Sequence, residues 1–146
     1  MNIGDAVQIL LIEDNPHDAE LALRALKTQG LANQVQLLQD GAEALDFLFG
    51  DASGVRKINH QPKVILLDLK LPKVDGLEIL RRLKADARTK AIPVVVMTSS
   101  QEEQDIVESY RLGVNSYIVK PVDFDKFAQS VADLGLYWLL LNKVPS

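Results

Sequence analysis

The sequence predicts an α/β domain: a (βα)5 chain folded as a doubly wound, five-stranded parallel sheet. Two observations carry this. Short apolar runs alternate with segments of helical period five times along the chain. The first, third and fourth runs are apolar on both faces, as parallel strands covered by helices on both sides must be.

The first strand is expected over Val7–Ile12. Asn15-Pro16 then supplies a cap and a first-turn proline, and Ala19, Ala22, Leu23 and Leu26 follow the i, i+3, i+4, i+7 stripe of a helix. Gly30 is a natural stop for it. A second strand follows at Val35–Leu38, with a helix marked by Gly41, Ala44, Leu45 and Leu48. Gly50–Pro62 has no period, and an irregular stretch of that length is often functional. The third strand is expected at Val64–Leu69, its helix at Gly76, Ile79, Leu80 and Leu83, and the fourth strand at Pro93–Met97. The fourth helix, Gln101–Arg111, has the weakest stripe, with Ile106, Val107 and Tyr110 as its apolar side. Ser116–Val119 is the fifth strand, and Phe124, Phe127, Ala128 and Val131 mark the fifth helix. Right-handed crossovers distribute these helices over both faces of the sheet.

A chain of 146 residues is read as one domain, 1–146, with a core of 7–134 and an apolar extension over 135–146. The net charge of -4 and the scattered basic residues argue against nucleic acid as a partner, since a phosphate backbone calls for a basic stripe. The absence of cysteine excludes disulfide and thiolate chemistry and suits a reducing compartment. No apolar stretch approaches the ~18 residues of a membrane span, and the N-terminus lacks a secretory pattern. A soluble, cytoplasmic protein is expected.

The chemistry gathers at strand ends. Asp68 follows Val64-Ile65-Leu66-Leu67, Glu13-Asp14 follow the first strand, Thr98 follows the fourth, and Lys120-Pro121 follow the fifth. Open α/β sheets bind ligands just outside the carboxyl ends of their strands. Each residue alone has an ordinary explanation: a loop-capping aspartate, a capping pair before the Pro16 helix, a β-favouring threonine, a solvated lysine. Together they are harder to explain that way. Clustered carboxylates repel one another and call for a cation. Oxygen ligands suit Mg²⁺, which keeps several waters and binds phosphate oxygens. A lysine held over the same rim, in a tight turn set by Pro121, can pair with Asp68 or with a phosphoryl oxygen.

This set resembles the receiver domain of bacterial two-component response regulators, over about residues 7–134. The resemblance implies a flavodoxin-like, CheY-like fold with strand order 2-1-3-4-5. It implies that Asp68 accepts a phosphoryl group from a phosphohistidine and that Mg²⁺ is held by Glu13, Asp14, Asp68 and the backbone carbonyl of Lys70. Thr98 and Lys120 would bind the phosphoryl oxygens. Tyr117 falls at the family's switch position, although a half-buried strand aromatic explains that residue equally well. Leu71-Pro72 and Asp75-Gly76 match the family's turn after the phosphorylated strand. Lys70 and Ser100 elaborate on the commonest pattern: the first would add positive charge at the site mouth, and the second would leave that mouth open.

The tail Leu136-Tyr137-Trp138-Leu139-Leu140-Leu141 and the Gly50–Pro62 loop are similar to those of small single-domain regulators serving phytochromes. The implied partners are a sensor histidine kinase, of phytochrome type in that subgroup, and a downstream phosphotransfer protein. A homodimer through the fourth helix, fifth strand, fifth helix and tail is the further expectation, with packing of the tail back on the domain as its alternative. Output would pass through protein contacts, and the chain is not expected to be an enzyme. A phosphohydrolase would carry a second acid two residues after the nucleophile, where this chain has Lys70. A nucleotide or flavin domain would carry a glycine-rich loop after the first strand.

Overall fold

In a computed structural model of the chain, the apolar runs assemble into one parallel sheet of five strands. The residues described are 8–28, 35–50 and 62–120, with Asp125 and Gln129. In chain order the elements are β1 (Ile9–Ile12), α1 (Pro16–Thr28), β2 (Val35–Leu38), α2 (Gly41–Phe49), β3 (Val64–Leu67), α3 (Gly76–Ala85), β4 (Val94–Thr98), α4 (Glu103–Arg111) and β5 (Ser116–Val119). The strands lie in the order β2-β1-β3-β4-β5, as expected. Val7, Gly30, residues 51–61 and the 135–146 extension lie outside the described residues, as does the fifth helix apart from Asp125 and Gln129, both helical.

The period of two along each strand sorts side chains into two layers. Leu10, Ile12, Ile65, Leu67, Val94 and Val96 join Ala44, Leu48, Ile79, Leu80 and Leu83 of α2 and α3. The intervening Ile9, Leu11, Val64, Leu66, Val95 and Met97 pack on Ala19, Ala22, Ala25 and Leu26 of α1. β1, β3 and β4 are buried along their whole length, which explains their unbroken apolar sequences.

Several expected boundaries shift, the first strand beginning at Ile9 with Gln8 outside it. The third strand ends at Leu67 rather than Leu69, because the chain turns away at Asp68 and Leu69 accepts a bond from Gly76 N–H at 2.8 Å. The fourth runs Val94–Thr98 rather than Pro93–Met97; Pro93 has no N–H to add to a ladder, while Thr98 pairs with Val119. The fourth helix begins at Glu103, and its expected apolar side is not its buried side. Val107 and Tyr110 are 57% and 51% exposed, whereas Asp105 and Ser109 are buried. This helix packs inward through Asp105, which accepts a hydrogen bond from Ser100 in the β4–α4 connection, and through the small Ser109.

The register fixes the rim. Ile12 pairs with Leu67 and Thr98 with Val119, so Glu13, Asp68 and Lys120 leave their strands at one end of the sheet. Asp68 N–H still donates to Ile12 O at 3.0 Å and Lys120 N–H to Thr98 O at 2.8 Å, which ties each residue to the neighbouring strand as it emerges. α3 begins directly beneath Asp68. A Cβ on Gly76 would overlap the Asp68 carbonyl oxygen and stand 2.5 Å from Leu69 Cα, so only glycine admits this close approach.

Candidate functional site

Asp68 is almost fully buried, at 3% exposure. Its Oδ1 accepts the Lys70 backbone N–H at 3.1 Å, and its Oδ2 accepts Lys120 Nζ at 2.9 Å. Glu13 is also buried. Its Oε2 accepts Asn15 N–H at 3.1 Å. Its Oε1 lies 2.8 Å from Lys120 Nζ in an ion pair and has no other polar partner among the described residues. Asp14 is exposed. One carboxylate oxygen from each of Glu13, Asp14 and Asp68 falls within 4.8 Å of the others.

These residues fit a hard divalent cation. Three carboxylates converge, and a buried oxygen of one of them has no partner but the Lys120 ammonium, which leaves it a lone pair that oxygen-seeking metals such as Mg²⁺ can use. The Glu13 pKa is pushed up to about 7. Burial is the main cause and the Asp68 charge adds to it, while the Lys120 ammonium and the Asn15 N–H pull the other way.

Lys120 balances this charge from below. Its side chain is 9% exposed, and Nζ stands 2.8 Å from Glu13 Oε1, 2.9 Å from Asp18 Oδ2 and 2.9 Å from Asp68 Oδ2. Burial works against its charge, but contacts with Glu13, Asp18 and Asp68 outweigh that and raise its pKa above the ordinary lysine value. It is therefore a fixed cation at neutral pH.

The β4 side of the rim carries a second polar group. Thr98 is fully buried, and its Oγ1 accepts Ser100 N–H at 3.3 Å. Tyr117 is half-buried against the α2–α3 layer and donates its hydroxyl to Ser100 O at 3.1 Å. Burial raises its pKa, opposed by the bond to Ser100. Lys70 and Ser100 both turn to Asp105. Ser100 does not open the mouth; it is buried, and its Oγ donates to Asp105 Oδ2 at 2.5 Å. The Lys70 ammonium is not free at the mouth either, since it lies 3.4 Å from the same Asp105 oxygen. That charge raises the Lys70 pKa in spite of the opposing effect of burial.

Two residues of the site, Asp18 and Asp105, are not among those read from the sequence. Both lie in the first turn of a helix, where an acid is already explained by the helix dipole. For Asp105 a weak signal existed, because Asp105 and Ser109 form an i, i+4 polar pair on a helix whose apolar stripe was poor. For Asp18 there was none.

An open parallel sheet with a carboxylate cluster and a buried lysine at the carboxyl ends of its strands defines a receiver-type α/β domain. The chain belongs to the response regulator receiver domain family, which it matches over residues 9–132. The probable methanogenesis regulatory protein FilR2 of Methanothrix harundinacea is 42% identical over 97% of this chain and 89% of its own length. The response regulator Rcp1 of Synechocystis is 38% identical over 94% of this chain and 92% of its own. Its manganese-bound form superposes with a TM-score of 0.73 at 37% identity, covering 94% and 98% of the two chains. The bacteriophytochrome response regulator RtBRR superposes with a TM-score of 0.78 at 51% identity, covering 94% of this chain and 83% of its own. Members of the family act with sensor histidine kinases in two-component signalling. No helix among the described residues is long and apolar enough to cross a membrane.

Proposed function

We propose that this chain is a phosphorylation-controlled switch in which Asp68 takes a phosphoryl group from a phosphohistidine of a sensor histidine kinase. The observation that carries the reading is the pairing of buried Asp68 with Lys120 at 2.9 Å, beside a three-carboxylate cluster spanning 4.8 Å. An Asp68 oxygen attacks phosphorus, the P–N bond breaks, and the imidazole leaves with the electron pair and takes a proton. The product is an acyl phosphate on Asp68.

Glu13, Asp14, Asp68 and the Lys70 carbonyl would hold Mg²⁺, which when bound neutralises the phosphoryl oxygens during transfer. The manganese-bound form of the related Rcp1 supports a divalent ion as a ligand. Lys120 already points its ammonium at Asp68 Oδ2 and can pair with a phosphoryl oxygen without leaving the rim. Thr98 Oγ1 is an acceptor from Ser100 N–H, so its own proton remains to be donated to the phosphoryl group. A pull on Thr98 strains the Ser100 N–H bond, and Ser100 O holds the Tyr117 hydroxyl. Tyr117 would thus follow the state of Asp68, and the exposed Val107 and Tyr110 on α4 are suited to protein contacts that read it. The relationship to RtBRR supports a phytochrome-type kinase as the donor.

Intact-mass spectrometry after incubation with acetyl phosphate and Mg²⁺ tests the proposal. One phosphoryl adduct per chain is expected, acid-stable and base-labile, absent with a chelator and absent in Asp68→Asn. An adduct that persists in Asp68→Asn, or forms equally well without a divalent ion, would sink it.

A further inference from the structure

Lys120 has three N–H bonds and three carboxylate neighbours: Glu13, Asp68 and Asp18. Two of these belong to the cluster suited to a divalent cation, and Asp18 does not. Once Glu13 and Asp68 turn their oxygens to a dication, Lys120 loses most of the negative charge that keeps it buried and gains a repulsive neighbour. A lysine with a flexible stem would then swing out to water. Asp18 is the partner that stays. It sits in the first turn of α1, fixed there by its own backbone N–H to Asn15 Oδ1 at 3.1 Å. Its Oδ2 holds Nζ at 2.9 Å, the same distance as Asp68 Oδ2, so one ammonium can serve both without moving.

We infer that Asp18 is a positioning residue for phosphoryl acceptance: it anchors the Lys120 ammonium over Asp68 in the cation-loaded site, leaving two N–H bonds for phosphoryl oxygens. The inference rests on the function proposed above. Asp18 touches neither phosphorus nor the cation, and its effect passes through Lys120.

The test uses the full chain with Mg²⁺ and acetyl phosphate. At saturating Mg²⁺, Asp18→Asn is expected to slow phosphorylation by about tenfold to a hundredfold, the scale of a misplaced catalytic group, with Mg²⁺ affinity unchanged or tighter. In a Lys120→Ala background the same substitution is expected to have no further effect, because its partner is gone. A second readout is independent of the reaction and of whether Lys120→Ala folds. The ¹⁵N signal of the Lys120 ammonium, assigned by its loss in Lys120→Arg, should be sharp in the Mg²⁺-loaded chain and exchange-broadened in Asp18→Asn. A wild-type rate in Asp18→Asn, an equal slowing with and without Lys120, or an unchanged ammonium signal overturns the inference while leaving the proposed function standing. A wild-type chain that takes no phosphoryl group overturns both.

Discussion

Replacing Lys120 by methionine roughly keeps the length of the side chain and deletes the ammonium that faces Glu13, Asp18 and Asp68. The side chains left behind are 0%, 17% and 4% exposed, so water cannot take over the role of the ammonium at Glu13 or Asp68. Breaking a buried pair by removing one partner costs roughly 3–5 kcal/mol. With Glu13 already pushed to about 7, its carboxylate is only marginally tolerated even beside Lys120. Without the lysine, Glu13 holds its proton to higher pH still. Its folded pKa then lies further above the unfolded value, so stability falls as pH rises through the window between the two. The loss should therefore be nearly full at pH 8 and much smaller near pH 5, where protonation removes the repulsion. Urea denaturation with a chelator present, at both pH values, measures this. Mg²⁺ should recover about 2.7 kcal/mol at a hundredfold excess over its Kd, by binding the folded state alone. A deficit below about 1 kcal/mol at pH 8, or one that is equal at both pH values, would refute the view that Lys120 is the charge balance of the site.

The metal-free wild-type chain should itself lose stability between pH 4.5 and about 7, because folded Glu13 keeps a proton that the unfolded chain releases over that window; urea midpoints across the range check this. Gly76→Ala forces a methyl group onto the Asp68 carbonyl; it should destabilise by about 1–3 kcal/mol or more and slow phosphorylation by shifting Asp68, both read from melts and mass-spectrometric time courses. Asp105→Ala leaves the buried Ser100 hydroxyl without its partner and should cost about 1–3 kcal/mol. Lys70→Met removes the other partner of Asp105, but the Lys70 side chain is 51% exposed, so its loss should stay under about 1 kcal/mol. Equal losses in those two variants would count against the buried Ser100–Asp105 bond as the stronger tie.

The residues legible in the sequence are those that the sheet itself places. A strand ending in an apolar run delivers the next residue to a known rim, so Glu13, Asp68 and Lys120 could be assembled on paper from strand order and register alone. The ladder even tolerates error at the ends: Leu69 and Pro93 fell outside the observed strands without moving any site residue. Helices carry no such map. A helix may be assigned correctly while its inward face is not, because that face is set by what it meets. α4 meets Ser100 and Lys70, so it buries Asp105 and leaves Val107 and Tyr110 in solvent.

The same distinction explains which part of the site stayed hidden. Each lysine near Asp68 is balanced by an aspartate from the first turn of a helix, Lys120 by Asp18 of α1 and Lys70 by Asp105 of α4. The lysines stand at or just beyond strand ends and could be read; their partners stand on helices and could not. The two pairs also differ in kind. Lys120 is buried and shared with the carboxylates suited to a cation, so Asp18 would act on the proposed chemistry through it. Lys70 is half-exposed and linked through Asp105 and Ser100 to the group that holds Tyr117, so its charge lies on the Tyr117 side of the site. A dianionic phosphoryl group on Asp68 would attract both ammonium groups. Lys120 can answer without moving, because Asp18 and Asp68 already share it. Lys70 could answer only by loosening its hold on Asp105, so the two ammonium groups would respond differently to the same charge.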